Sequence, residues 1–220
     1  MPTVGYVLML LAAYLLGSIP TGFLVAKARG VDIRTVGSGN IGATNVFRIL
    51  GKTAGALVLL ADAAKGWLAV FVVARFFAGW GHSGAGSPSL EWFKLGAGVA
   101  AILGHNYTCW LRFKGGKGIA TSAGVLVGWV PLALLVVLCI WIVVFALSRY
   151  VSLASICAAF ALPFAVWLFG HSLALIIVTA ALAALAIYKH KGNIQRLLKG
   201  TENRIGQRKP TQPQSPKATA

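Results

Sequence analysis

Residues 119–147 read IATSAGVLVGWVPLALLVVLCIWIVVFAL, and the fold depends on how many times they cross a membrane. One helix needs about 20 apolar residues to span the ~30 Å hydrocarbon core. The stretch is therefore long for one upright helix and short for two. Gly128-Trp129-Val130-Pro131 interrupts it, and proline lacks a backbone N–H and suits a helix start. The flanks supply a parity argument. Arg112, Lys114 and Lys117 precede the stretch and Arg149 follows it. Loops rich in Lys and Arg collect on the cytoplasmic side. If both flanks lie there, the chain between them crosses twice. The reading is two short spans with a tight turn near Pro131, against the alternative of one long tilted helix.

Composition agrees with a membrane protein. The 220 residues are 58% hydrophobic and 11% charged, with mean hydropathy +0.79. That is too apolar for a soluble domain. The formal net charge is +16, from 20 Lys+Arg against 4 Asp+Glu. In a soluble chain this would suggest nucleic acid. Here the cations lie mostly between apolar runs, so topology and anionic ligands account for them, and no nucleic acid partner is inferred. Cys109, Cys139 and Cys157 have no paired spacing, so neither a disulfide framework nor a metal site follows.

Outward from the opening stretch, five more spans can be read. The first is Val4 to Ala26, with no cation before it and Lys27, Arg29 and Arg34 just after it. These flanks are the reverse of a secretory signal, so the helix is retained with its N-terminus outside. Its end, GSIPTG at 17–22, is expected to kink or unwind, or else to pack closely through small residues. Thr53 to Phe77 is the second span. It carries Asp62 and Lys65 on one helical face, either lining a polar cavity or neutralising each other. A Gly/Ser-rich outside loop at 78–90, with a solvated His82, leads to a third span, Glu91 to Thr108. After the pair within 119–147, residues 148–155 lie inside. Ile156 to Phe169 and Leu173 to Tyr188 are the sixth and seventh spans, around an outside turn at Gly170-His171. All Lys and Arg except Lys65, Arg75 and Lys94 then fall inside. The expected fold is an all-α integral membrane protein with seven transmembrane helices and a cytoplasmic C-terminus. Residues 1–202 form its membrane domain, and 203–220 form a disordered Pro-rich basic tail.

Two inside loops have the composition of phosphate cradles. SGNIGATNVFR at 38–48 combines glycines with Ser38, Asn40, Thr44, Asn45 and Arg48. RFKGGKGIAT at 112–121 holds three cations and three glycines ahead of a helix. The second is not a Walker A loop, because Leu111 and Gly118 stand where glycine and Ser/Thr are required, and no strand precedes it. Past the last span, His190, Asn193 and Arg196 recur every three residues on one expected helical face, which Leu197 and Leu198 could anchor to the membrane. This basic segment either completes the site or meets anionic lipid. Asp32, Asp62 and Glu202 are scattered, which argues against a metal cage or paired-carboxylate hydrolysis. Cations and neutral donors without a clear nucleophile suit a substrate with phosphate groups, acted on through positioning and charge stabilisation.

These motifs together resemble one family. GSIPTG (17–22), SGNIGATNVFR (38–48), DAAKG (62–66), GH (104–105), FKGGKGIAT (113–121), SRYVSLAS (148–155) and HKGNIQRLLKGTE (190–202) occur in the order seen in the bacterial membrane glycerol-3-phosphate acyltransferases that use acyl phosphate, the PlsY-type family. The resemblance covers about residues 1–202. It implies transfer of a fatty acyl group from acyl phosphate to the 1-position hydroxyl of sn-glycerol 3-phosphate. The products would be lysophosphatidic acid and inorganic phosphate, in an early step of phospholipid biosynthesis. It also implies seven helices, an active site at the cytoplasmic face of the inner membrane, no cofactor, no metal and no obligate protein partner.

Carried over residue by residue, the resemblance implies that Ser38, Asn40, Gly42, Thr44, Asn45 and Arg48 bind glycerol 3-phosphate. Lys117, with Gly115, Gly116, Gly118 and Thr121, would hold phosphate and stabilise an oxyanion. Ser152, His190, Asn193 and Arg196 would complete the pocket. Lys117, Ser38, His190 and Ser152 are the catalytic candidates. The proton acceptor is either His190 or a substrate phosphate, since both titrate near neutrality. The rival reading is an organic-phosphate transporter of the inner membrane, which would share a basic vestibule and broken helices.

Overall fold

The computed structural model describes residues 2–79 and 89–206. His82, with most of the Gly/Ser-rich loop, and the tail from residue 207 lie outside the described residues. Among the described residues every regular element is helical. In chain order these are α1 (Pro2–Ser18), α2 (Thr21–Lys27), α3 (Ala43–Leu50), α4 (Lys52–Leu68), α5 (Ala74–Gly79), α6 (Leu90–Asn106), α7 (Ile119–Trp129), α8 (Pro131–Ser148), α9 (Val151–Leu168), α10 (Leu173–Lys189) and α11 (Lys191–Leu198). A π-helical turn, Ala69–Val73, joins α4 to α5.

Side-chain contacts between helices fix their direction. Tyr6 donates to Trp92 O (3.3 Å) and Trp129 Nε1 to Lys94 O (3.1 Å). The starts of α1 and α6 and the end of α7 therefore share one end of the molecule. At the opposite end Ser18 Oγ donates to Gly104 O (3.3 Å) and Arg204 Nε to Ser148 O (3.0 Å). The chain runs away from that second end in α7 and returns in α8, so the opening stretch is two antiparallel helices. They part at Val130, whose backbone leaves the helical region (φ −148°, ψ 65°), and α8 begins on Pro131.

Close backbone approach holds the bundle together. α1 lies along α6 and α4 along α7. A side chain on Gly17 would strike Ala101 O, and one on Gly124 would strike Ala63 O. Small residues at such seams let helix backbones touch where apolar burial gives no net drive. α8, α9 and α10 form a second group through Val137, Leu162 and Val166, with Leu175 packed against them. Leu182 of α10 joins this group to Ile102 and Val125.

Among the described residues four segments are long and apolar enough to cross a bilayer: Thr3–Lys27, Lys52–Gly79, Pro131–Ser148 and Val151–Leu168. A fifth is added if α10 and α11, bent 57° apart, count as one. α7, with 11 residues, is about 16 Å long, roughly half the hydrocarbon thickness. Two boundaries differ from the sequence reading. α9 starts at Val151, five residues before the sixth span read above, and takes in Ser152 and Ser155; Ser155 Oγ satisfies itself on Val151 O (2.8 Å), as hydroxyls in helices can. Residues 203–206, read above as tail, are also tied down: Ile205 N donates to Arg149 O (3.0 Å).

Candidate active site

The first loop is organised by Asn45. Its Oδ1 accepts Ser38 N (2.9 Å), and its Nδ2 donates to Ile33 O (3.2 Å) and Val36 O (3.1 Å). Asn45 is buried and its amide fully used, so it shapes the loop. Gly37 and Gly39 take positive φ, +62° and +69°, as the tight path requires. Asn40 Oδ1 accepts Gly42 N (2.8 Å), and Gly42 in turn caps α3. Ser38 is exposed, Asn40 and Thr44 are half-buried, and α3 carries Arg48 in its last turn.

The second loop is strapped to the end of α6. Gly116 N donates to His105 O (3.0 Å) and Gly115 N to Asn106 O (3.2 Å). A Cβ on Gly116 would collide with the His105 ring. Gly118 turns with φ +80° into the start of α7. Lys117, between these glycines, donates to Asn193 Oδ1 in a short contact. Thr121 lies elsewhere: it is fully buried on α7, with its carbonyl against Gly66 of α4. Thr121 Oγ1 and Asn106 Oδ1 are the two buried side-chain polar atoms without a partner among the described residues.

The third contribution comes from the chain's return after α11. Gly200, at φ +67°, turns the backbone so that Glu202 enters the pocket. Its Oε1 accepts from Ser152 Oγ (3.0 Å) and Asn193 Nδ2 (2.8 Å), and its Oε2 from Arg196 Nε (2.7 Å). Asn203 O then meets Arg48 (3.5 Å). Lys117, Asn193, Arg196, Ser152, Glu202 and Arg48 thus form one cluster, drawn from residues as far apart as 48 and 203. Among the sequence-derived residues, Ser38, Asn40 and Thr44 join this cluster only through their loop. Arg112 and Arg149 are exposed.

Glu202 was read above as one of the scattered carboxylates; instead it is buried at the centre of the cluster. The available signal was a single acid closing a run of cations from Lys189 to Lys199. Burial pushes its carboxyl up, but hydrogen bonds from Asn193, Arg196 and Ser152 and the charge of Arg196 outweigh this and hold it below its ordinary value. Burial, opposed by Glu202 and reinforced by Arg196, Arg48 and Lys189, lowers Lys117 to about 8. Arg48 is also lowered, first by burial. Burial and the nearby Lys117 lower His190 to about 4, so it is neutral at pH 7. Its Nδ1 sits 2.7 Å from Ala186 O. A carbonyl only accepts, so the proton is on Nδ1 and Nε2 keeps the lone pair.

One carboxylate against Lys117, Arg48 and Arg196 leaves the pocket with excess positive charge, as an anion-binding site requires. Similarity to known proteins gives this chemistry a family. The glycerol-3-phosphate acyltransferase family pattern matches residues 7–200. A glycerol-3-phosphate acyltransferase of Geobacter metallireducens is 53% identical over 199 residues, covering 90% of this chain and 97% of its own. That of Geotalea daltonii is 49% identical over 197 residues, with 90% and 96% covered. Among solved structures, PlsY (YgiH), an integral membrane glycerol 3-phosphate acyltransferase, in its glycerol 3-phosphate form matches with TM-score 0.81 and 40% identity, covering 91% of this chain and 96% of that one. Its lysophosphatidic acid form matches with TM-score 0.78 and 39% identity. With its multi-pass helical fold and its pocket of glycine loops and cations, the chain belongs to the glycerol-3-phosphate acyltransferase family.

Proposed function

We propose that the protein transfers a fatty acyl group from acyl phosphate to the 1-position hydroxyl of sn-glycerol 3-phosphate, giving lysophosphatidic acid and inorganic phosphate. In this reading the substrate hydroxyl oxygen bonds to the acyl carbonyl carbon, and the bond from that carbon to the phosphate oxygen breaks. Ser38, Asn40, Gly42, Thr44 and Arg48 take glycerol 3-phosphate, on a loop that Asn45 shapes. Lys117 and the glycines around it take the donor phosphate and the oxyanion. Ser152, Asn193 and Arg196 line the pocket, with Glu202 orienting them.

The observation that carries this reading is the Lys117–Asn193–Glu202 chain of contacts, which joins a glycine loop to a pocket with more cations than acids. The match to structures of PlsY in glycerol 3-phosphate and lysophosphatidic acid forms supports the acceptor and the product. Seven crossings, an outside N-terminus and a site at the cytoplasmic face of a bacterial inner membrane fit the alternating helix directions and the crowding of cations at one end. Thr121 belongs to the support of the second loop, given its burial.

The hydroxyl proton goes to a substrate phosphate in this proposal. His190, lowered to about 4, is a weak base, whereas a phosphate group is always present at the reacting hydroxyl. His190→Ala should then mainly raise KM. A fall in kcat of about 10²–10⁴ would return the base to His190. The reaction itself is tested by incubating detergent-purified protein with acyl phosphate and glycerol 3-phosphate and measuring released phosphate. Phosphate release that depends on both substrates is expected. No release, together with movement of glycerol 3-phosphate across proteoliposomes, would establish a transporter instead.

A further inference from the structure

Asp62 and Lys65 lie inside α4, their side chains 3% and 5% exposed and 2.9 Å apart. Asp62 is ten residues into the helix, about 15 Å from its start. Charges at such depth are costly and tend to be kept for a function. A pair that only neutralised itself would need no further neighbours, yet here a single oxygen, Asp62 Oδ1, also meets two other groups, and each leads to one of the two loops.

On one side Asp62 Oδ1 accepts from Thr21 Oγ1 (3.1 Å), the first residue of α2. Lys65 Nζ donates to Ile19 O (3.0 Å), in the break just before it. The next residue, Gly22, lies so close to the first loop that a Cβ there would strike Ile41 O. Ile41 directly precedes Gly42, which caps α3. On the other side Asp62 Oδ1 stands 3.6 Å from His105 Nδ1. The far edge of the same ring covers Gly116, and the His105 carbonyl holds Gly116 N. The opened end of the first helix and the glycine loop before α7 therefore rest on one buried carboxylate.

We propose that Asp62 is a positioning residue for both substrates, acting through Thr21 on the loop that takes glycerol 3-phosphate and through His105 on the loop that takes the donor phosphate. The inference rests on the assignment of substrates to loops made under the proposed function. Its physical basis is that two reacting groups must meet at about 3–3.5 Å, and a misplacement near 1 Å can cost about 10²-fold. Both loops are rich in glycine and need an external reference to hold their separation. A buried ion pair shared between them supplies one.

The test uses the full-length protein in detergent, with separate KM values for the two substrates in three variants. Thr21→Val removes one arm at nearly constant volume. His105→Gln removes the ring and keeps an N–H. Asp62→Asn with Lys65→Met removes both charges together, which spares the fold the cost of one unpaired buried ion. Thr21→Val should raise KM for glycerol 3-phosphate about fivefold, the size of a lost hydrogen bond, and leave that for acyl phosphate within about twofold. His105→Gln should do the reverse, and the double variant should raise both. Both KM values unchanged in all three variants, or the same substrate weakened by both single changes, would overturn the proposal. If the unmutated protein turns nothing over, the substrate assignment has failed. Binding of inorganic phosphate and of glycerol 3-phosphate to the same variants, measured by calorimetry, then decides the role of Asp62 by the same selectivity.

Discussion

Two carboxylates are buried in this molecule among cations, and they differ in balance. Asp62 has one full partner, Lys65, and both are shut away from solvent. Glu202 has Arg196 on one oxygen and two neutral donors on the other, while Lys117 and Arg48 stand nearby without an acid of their own. The first arrangement is closed, with its charges cancelled where they are. The second is open, because its cations exceed its acids and Arg196 remains 39% exposed. A balanced buried pair fixes geometry, and an unbalanced pocket attracts an anion.

The comparison fails first, and most visibly, at Lys117. Lys117→Ala should lower kcat/KM about 10²–10³-fold, the scale of losing one group aimed at developing charge, with no loss of melting temperature in detergent. Lys117→Arg should also be harmful, since a planar fork does not replace a compact ammonium between glycines. A fully active arginine variant would make Lys117 a topological charge only. Asp62→Asn alone should behave oppositely. It leaves the Lys65 charge buried without a counter-ion and should cost about 3–5 kcal/mol of stability; an unchanged melting curve would show that the pair is not closed at all. Arg48→Ala comes next, with KM for glycerol 3-phosphate raised about tenfold or more and melting unaffected. Near-normal turnover at low glycerol 3-phosphate would remove Arg48 from the site.

Smaller effects sharpen the contrast. Lys117 is lowered to about 8, so the free enzyme should lose its ammonium as pH rises through that value. The loss of a cation weakens phosphate binding, so kcat/KM for acyl phosphate should fall on the alkaline side with a midpoint near 8. Lys117→Arg should lack that limb, however low its activity. The smallest effect is expected from EDTA. The pocket offers cations and one occupied carboxylate, which are poor ligands for Mg²⁺. Exhaustive chelation should change activity by no more than a few-fold, and a loss restored by Mg²⁺ alone would mean that a metal ion works beside the pocket's cations.

Local chemistry was legible in the sequence wherever one residue decided it. Pro20 ends a helix because it cannot donate, and the structure leaves Ile19 and Pro20 outside α1 and α2. Pro131 starts one for the same reason. Asn193 and Arg196 share a face because they are three apart, and both reach Glu202. Glu202 itself was not legible. Its partner Ser152 is 50 residues away, and only the turn at Gly200 brings them together. Ser152 reaches the pocket through Glu202, while Ser155, three residues on, bonds its own helix backbone at Val151 O. His105 gave no sign of its neighbour across the fold. A lone histidine ending an apolar run carries no record of the missing Cβ on Gly116 that makes room for its ring.

The turn that delivers Glu202 also sets an order in time. Arg48 and Lys117 are synthesised early, whereas the acid that sorts their neighbours follows the last apolar helix among the described residues. A nascent chain therefore carries Arg48 and Lys117 before the acid that orders their neighbours has been made. Ser152 and Asn193 gain their shared acceptor only when residue 202 leaves the ribosome, so the pocket is assembled only after the helices that line it have been made. A message cut short before that codon would yield a membrane protein that keeps Arg48, Lys117 and Arg196 but lacks the acid that orders their neighbours.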